Sequence, residues 1–268
     1  MKIIIFGSNG MLGTYLNKFF EKKYVVLPLT RKDIDLSKST EEEIYNFLLK
    51  TAKKDDIIIN ASGIIKQREY KINDMIKVNS IFPNILSSFK KNIDCKIIHI
   101  TTDCVFSGYK GYYNENDHHD CTDEYGKTKS LGENKDLTII RTSIIGEEIN
   151  NKKSLVEWVK SQSETSIDGY INHLWNGVTC LELSKLIDRM ITNKNFWKGV
   201  RHIFSPKTVS KYELVTMISV IFKLNILIDK KETSERCYRN LSSLYDNLIE
   251  LDLYDQIIEM KKFNINEL

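Results

Sequence analysis

The sequence predicts an α/β protein built on a doubly wound parallel sheet, with a smaller lobe toward the C-terminus. Up to about residue 145, short apolar β-branched runs alternate with amphipathic helical patterns, as in strands that are buried on both faces. A glycine-spaced turn joins the first strand to the first helix. With 268 residues and 41% hydrophobic content, the chain is long enough for this sheet and a second lobe.

The first strand and helix meet at a turn that suits a dinucleotide. Residues 2–6 form the strand, and Gly7, Gly10 and Gly13 follow it. Glycines here permit a tight turn, close backbone approach to a pyrophosphate and close helix packing, and the helix N-terminus offers amide donors. The spacing is G-x-x-G-x-x-G rather than G-x-G-x-x-G. We expect cofactor contacts from Gly7, Asn9, Gly10, Met11, Leu12 and Gly13.

The second predicted strand, residues 24–29, bears on the choice of dinucleotide. It runs into Thr30, Arg31 and Lys32, where a site selective for NAD places an acidic residue on the ribose. Cations at this position suit the 2′-phosphate of NADPH. Asp35 follows closely and leaves NADH open as an alternative, and the competing interpretation is a basic surface turn.

The rest of the chain continues the alternation and then loosens it. Further strands are predicted at 56–60, 96–100 and 137–140, and a helix at 72–89. Beyond them, helices that build the smaller lobe are predicted at 154–162, 180–192, 211–222 and 244–251.

Tyr125 and Lys129 are four residues apart and follow the run Thr101-Thr102-Asp103. On a helix this spacing puts both side chains on one face. A neighbouring cation favours the phenolate, so we expect the tyrosine pKa to fall from about 10 toward neutrality, where the phenol can transfer protons. By itself the spacing is also typical of a solvated helix face.

Composition excludes several functional classes. The formal charge of +3, from 39 basic and 36 acidic residues, is scattered, so no nucleic-acid interface is predicted. No run is long enough to span a membrane, and five cysteines without a C-x-x-C pair favour reduced thiols in the cytoplasm. His118 and His119 lie between two aspartates, but adjacent loop histidines rarely face one ion, so we expect a solvated turn and no metal.

Seven motifs are spread over nearly the whole chain. They are the glycine turn at 7–13, Leu29–Leu36, Asn60–Gly63, Thr101–Gly108, Tyr125–Lys129, Arg141–Ser143 and Ser210–Glu213. Jointly they resemble the extended short-chain dehydrogenase/reductases with a Rossmann-like fold. Within these, the sequence is similar to the dTDP-4-dehydrorhamnose reductase-like group of nucleotide-sugar 4-keto reductases.

The resemblance implies roles for particular residues. Thr102, Tyr125 and Lys129 would form a catalytic triad in which Thr102 binds the sugar carbonyl, Tyr125 protonates it as hydride arrives at carbon 4, and Lys129 lowers the phenol pKa and holds the ribose. Cofactor contacts would also come from Thr30, Arg31, Asp35, Leu36, Asn60, Ala61, Ser62, Thr142 and Ser143. Residues 1–148 and 171–204 would form the NADP-binding domain, and 149–170 and 205–268 the substrate-binding lobe.

Cys104 departs from the family pattern. Dehydratase relatives carry Asp-Glu after the catalytic threonine, whereas this chain has Asp103-Cys104, so dehydration is not expected. GDP-fucose synthase, a relative that epimerises and then reduces, has a cysteine and a histidine that compare with Cys104 and His173. The Cys104 thiolate could be the base that removes a proton from carbon 3 or 5, with His173 as the acid. The alternative is that Cys104 only lines the pocket and His173 is a satisfied polar residue.

The bound sugar is left open by the sequence. Substrate contacts are expected from Lys66, Gln67, Thr102, Asp103, Cys104, Trp175 and Asn176. Because the segment around Trp175 differs from the Gly-x-Pro-Thr of the common reductases, a UDP-linked 2-acetamido-2,6-dideoxy-4-ulose is as reasonable as a dTDP-6-deoxy-4-ulose. A non-catalytic, cofactor-binding regulatory subunit is the alternative function, and a homodimer is compatible with either.

Overall fold

The computed structural model describes residues 1–66, 71–150 and 152–265. Its strands are β1 Ile3–Phe6, β2 Val26–Leu29, β3 Ile57–Asn60, β4 Lys96–Thr102, β5 Thr138–Thr142, β6 Ile144–Ile145, β7 Ser166–Tyr170, β8 His173–Trp175, β9 Val178–Thr179, β10 Gly199–His202, β11 Val209–Ser210, β12 Leu227–Lys231 and β13 Cys237–Tyr238. Its α-helices are α1 Met11–Phe20, α2 Glu41–Thr51, α3 Ile72–Ile76, α4 Phe82–Asn92, α5 Glu124–Leu131, α6 Leu155–Ser161, α7 Cys180–Thr192, α8 Lys211–Phe222 and α9 Leu253–Phe263.

The central sheet has six parallel strands in the order β2-β1-β3-β4-β5-β10. Its isoleucine-rich strands are buried on both faces, with α1 and α7 packed on one face and α2 and α4 on the other. The chain reverses its direction of winding between β1 and β3. Ligands of open α/β sheets bind at such a switch point, beyond the carboxyl ends of the strands.

The remaining strands form small sheets outside the central one. Strand β12 pairs in parallel with β7, and β8 lies between β11 and β13. Helix α8 packs on β7 and β12, and α9 packs on α7 and α8. Among the described helices none is both long and apolar enough to cross a membrane.

Two predicted helices differ from the observed ones. The helix expected at 72–89 is interrupted by π-helical geometry at Lys77–Ile81 before α4 begins. The helix expected at 244–251 is wrong: this segment is not helical, because its start is tied down by bonds from Ser243 Oγ and Leu244 N to the Glu115 carboxylate. The helix lies further on, at α9, where Leu253, Ile257 and Met260 are buried.

Candidate active site

A cleft of about 420 Å³ opens at the carboxyl ends of β1, β3, β4 and β5. This volume lies within the range of small-molecule sites. Residues from all the predicted cofactor segments line it, namely Gly7, Asn9, Gly10, Met11, Leu12, Thr30, Arg31, Asp35, Leu36, Ala61, Ser62, Thr142 and Ser143. Thr102, Asp103, Cys104, Tyr125 and Lys129 line the same cleft. The structure thus brings residues as far apart in sequence as Gly7 and Ser143 to one site.

The glycine turn fits a pyrophosphate. Gly7 has φ +76°, and a Cβ on it would lie 2.8 Å from Ser62 Cα. Gly13 lies outside the cleft lining, but a Cβ there would lie 2.1 Å from the Gly7 carbonyl oxygen, so this glycine lets α1 pack against the turn. Gly10 caps α1 without a side-chain hydrogen bond, and the first turn carries no acidic residue. The α1 amides are therefore available to an anion.

Two loops complete the dinucleotide side of the cleft. Asn60 is buried and lies outside the lining, where its Oδ1 accepts hydrogen bonds from Ser62 N at 3.1 Å and Ser62 Oγ at 2.5 Å. It therefore shapes the loop behind Ser62. On the other side, Asp35 accepts bonds from Ser37 N and Oγ. Arg31 lies beside Asp35 and is exposed, so its guanidinium is accessible to a 2′-phosphate.

The three predicted catalytic side chains converge in the cleft wall. Thr102, at the end of β4, donates to Asp103 Oδ1 at 3.1 Å and accepts from Cys104 N. Tyr125 and Lys129 lie on α5, whose N-terminus is capped by Asp123. Lys129 Nζ donates to the Ile100 carbonyl at 2.9 Å and is buried. This arrangement holds a hydroxyl, a phenol and an ammonium group within one cavity.

The pKa of Tyr125 is raised, not lowered as the Tyr-Lys spacing predicts. Burial is the main cause, and Cys104 adds to it, while a hydrogen bond with the Thr102 side chain acts in the opposite direction. Burial lowers the pKa of Lys129 to about 8, which Glu133 partly opposes. The phenol is thus held protonated, as a proton donor must be.

Two cations that the sequence did not single out lie beyond Thr102. Arg239 Nη1 contacts Cys104 Sγ at 3.5 Å, and Arg239 Nε donates to the Phe106 carbonyl. Lys211, the first residue of α8, lies 5.1 Å above the Trp175 ring, and burial lowers its pKa. Both cations act on Asp103, whose pKa is raised by burial. Lys211 lies in the Ser210–Glu213 motif, which gave it no individual role, whereas nothing in the sequence marked Arg239.

Other predicted substrate residues lie outside the cleft lining. Lys66 pairs with Asp123 at 2.8 Å, at the start of α5. Both ends of the Asn176 carboxamide bind the Leu241 backbone, so this side chain holds the C-terminal segment. His173 Nε2 lies 2.8 Å from Thr233 Oγ1. Gln67 is outside the described residues.

Behind α5 lies a buried ionic network around Arg141. Its guanidinium makes two bonds to the Glu133 carboxylate and reaches His202 Nε2 at 2.8 Å and His119 Nε2 at 2.7 Å. His118 and His119 stay exposed, as expected for a solvated turn, although the His119 ring also binds Arg141 and Ser130. No group of three metal-ligating residues is found within the described ranges.

This network predicts acid sensitivity. Burial, reinforced by Arg141, lowers the pKa of His202 from 6.5 to about 4. Between these values the unfolded chain binds a proton that the folded chain excludes, so the free energy of unfolding falls as pH drops through this window. We expect His202 to account for a loss on the order of 3 kcal/mol. Denaturant unfolding between pH 7.5 and 4 tests this: His202→Gln should flatten the dependence, and equal slopes in both proteins would contradict it.

Comparisons with known proteins bear on fold and family. Over residues 1–231 the sequence matches the family described as RmlD substrate binding domain. A dTDP-4-dehydrorhamnose reductase from Aggregatibacter actinomycetemcomitans is 27% identical over 234 residues, 81% of this chain and 78% of the relative. A solved dTDP-4-dehydrorhamnose reductase from Clostridium acetobutylicum has a TM-score of 0.80 at 23% identity, covering 98% of this chain and 99% of that one. Another, from Bacillus anthracis in complex with NADP, has a TM-score of 0.79 at 21% identity, covering 97% and 98%. The predicted fold class is confirmed.

Proposed function

The chain belongs to the RmlD substrate binding domain family, and from this premise we propose that it is an NADPH-dependent reductase of a nucleotide-linked 4-keto-6-deoxyhexose. One observation carries the proposal: Thr102, Tyr125 and Lys129 face the same cleft as the uncapped N-terminus of α1. The similarity to dTDP-4-dehydrorhamnose reductase supports the reaction class. The enzyme would act in the cytoplasm, in deoxysugar synthesis.

The cofactor would lie across the switch point between β1 and β3. We assign its pyrophosphate to the α1 amides and its adenosine end to the loop that contains Arg31 and Asp35. Thr142, Ser143 and Lys129 line the same cleft and would hold the nicotinamide riboside. When bound, the nicotinamide supplies the hydride. Arg31 favours NADPH. NADH is the alternative cofactor, because Asp35, a neighbour of Arg31, is acidic.

The chain's own residues would activate and protonate the ketone. The Thr102 hydroxyl and the Tyr125 phenol would both hydrogen-bond the sugar carbonyl oxygen. As that oxygen gains negative charge, the phenolic O–H bond breaks and its proton moves to the oxygen. The Lys129 ammonium would stabilise the phenolate electrostatically.

The residues beyond Thr102 would take the nucleotide sugar. Lys211 and Arg239 both act on Asp103, and Arg239 also acts on Asp123, which already pairs with Lys66. Three cations beside two carboxyl groups leave positive charge for an anionic substrate. Residues 149–170 and 205–268 would form the substrate-binding lobe, and 1–148 with 171–204 the cofactor domain. Lys66 and Trp175 would border the same substrate site.

Epimerisation before reduction is a second candidate activity. The contact of Arg239 with Cys104 Sγ favours it, since a guanidinium stabilises a thiolate. Burial acts against it, because it raises the pKa of Cys104 to about 12. His173, the proposed acid, bonds to Thr233 instead of lining the cleft. Cys104 is therefore the residue whose substitution decides the question.

One experiment tests both activities. The protein is mixed in deuterated water with NADPH or NADH and a panel of dTDP- and UDP-linked 4-keto-6-deoxy sugars, with and without a 2-acetamido group. We expect NADPH oxidation with one substrate. Epimerisation would be established if the product carries deuterium at carbon 3 or 5 and Cys104→Ser abolishes this label while still reducing the ketone. If Cys104→Ser lowers deuterium uptake and reduction equally, Cys104 is not the epimerising base. Cofactor binding without oxidation by any sugar would favour the regulatory-subunit alternative.

A further inference from the structure

One face of the central sheet carries polar side chains directly beneath the predicted catalytic helix α5. His99 and Thr101 share this face of β4, because alternate residues of a strand point the same way. Asn60 of β3 is in register with His99, and Arg141 of β5 with Thr101. Since Arg141 bonds Glu133, just beyond the end of α5, this is the face that α5 covers.

The hydrogen bonds of Asn60 determine the protonation of His99. Asn60 Oδ1 accepts from Ser62 N, so its Nδ2 must face His99 Nδ1, which lies 3.1 Å away. An amide nitrogen can only donate, so His99 Nδ1 accepts. Burial and the charge of Lys129 both lower the His99 pKa, which keeps the ring neutral. The single ring proton is therefore on Nε2.

Three polar groups around α5 have hydrogen-bonding capacity left over. His99 Nε2 and Thr101 Oγ1 are buried, and neither has a partner among the described residues. Between them in the strand is Ile100, whose carbonyl oxygen accepts from Lys129 Nζ at 2.9 Å. An ammonium group has three donors, and the described residues offer Lys129 this one acceptor. Buried polar groups left in this way are normally satisfied by ordered water.

We propose that His99 is a positioning residue of the active site, whose Nε2–H and the Thr101 hydroxyl together hold an internal water against the Lys129 ammonium. The water accepts hydrogen bonds from His99 Nε2 and Lys129 Nζ and donates one to Thr101 Oγ1. Three partners are the usual number for a buried water. Thr101 also lines the cleft, which gives this water a route to the active site.

The water would help Lys129 to stay charged. Only the catalytic consequence of that charge rests on the proposed function. Glu133 and the neutral His99 are the titratable groups that act on Lys129 from the elements packed against it. Burial disfavours the ammonium, and the water would favour it by accepting one of its protons in a hydrogen bond. Losing the water should therefore lower the Lys129 pKa further.

The test is an NMR titration of Lys129 in the cofactor-free protein, with lysine labelled at Cε. Thr101→Val and His99→Phe should each lower the Lys129 pKa by about one unit. In His99→Gln the Lys129 pKa should equal that of the unmodified protein, because the glutamine amide provides an acceptor for Asn60 and a donor for the water. Ser87→Ala is the matched control: Ser87 Oγ, on α4, is another buried group without a partner in the described chain.

An unchanged Lys129 pKa in folded Thr101→Val would overturn the proposal, as would an equal shift in Ser87→Ala. The nitrogen-15 chemical shifts of the His99 ring give a second readout, because they show which ring nitrogen carries the proton. A proton on Nδ1 would contradict the proposal. Thr101→Val is nearly isosteric, so the test stands even where His99→Phe fails to fold. No substrate is needed, so the absence of turnover would overturn the proposed function and leave this result intact.

Discussion

Tyr125→Phe is expected to reduce turnover about a thousandfold, because it removes the proposed proton donor and changes little else. The phenol ring lies in the cleft wall on α5, and phenylalanine preserves its shape. NADPH affinity should be nearly unchanged, since the α1 amides and the Arg31 loop would supply most of the cofactor contacts. Stopped-flow NADPH oxidation and fluorescence titration of the cofactor measure the two quantities separately.

Tyr45→Phe is the matched control for this substitution. Tyr45 lies on α2, outside the cleft lining, and its hydroxyl accepts a hydrogen bond from Asn92. Turnover of Tyr45→Phe should equal that of the unmodified protein. If Tyr125→Phe kept most of its turnover, another group would be the proton donor.

Glu133→Gln should lower the free energy of unfolding by about 3–5 kcal/mol, because it leaves the buried Arg141 guanidinium without its counter-ion. The two side chains are only 4% and 2% exposed. The substitution preserves the shape of the side chain, so the loss would report charge and not volume. It should also lower the Lys129 pKa below 8, since Glu133 raises it.

The exposed pair of Lys207 and Asp252 gives the comparison. Their side chains are 76% and 42% exposed, so Lys207→Gln should cost at most about 1 kcal/mol. Denaturant unfolding of both variants at pH 7.5 measures the difference. Similar losses in the two variants would show that the Arg141 network contributes little to stability.

Local sequence patterns predicted the helices that have strong end signals. Helices α7 and α8 span the predicted residues 180–192 and 211–222, and each follows a capping residue, Thr179 or Ser210. The error at 244–251 has a tertiary cause. Leucines there repeat with a helical period, but Glu115 accepts a bond from the Leu244 backbone 129 residues away in sequence, and periodicity contains no information about such a bond.

The residues of the candidate site were predictable where they lie together in one short segment of the chain. Gly7 and Gly10 of the glycine turn, Thr102, and the pair Tyr125 and Lys129 each lie in a short motif and line the cleft. Arg239 was missed because its position beside Cys104 depends on how the last third of the chain folds back. The pKa of Tyr125 was predicted in the wrong direction, because burial raises it and burial cannot be read from spacing.

The position of β10 at the sheet edge constrains how the chain can fold during synthesis. Until residues 199–202 leave the ribosome, β5 has no neighbour on one side and exposes unpaired backbone groups. At that stage Arg141 also lacks His202, which β10 supplies. A nascent chain that pauses between residues 142 and 199 would therefore present an unpaired β-strand edge to other chains, a known route to aggregation.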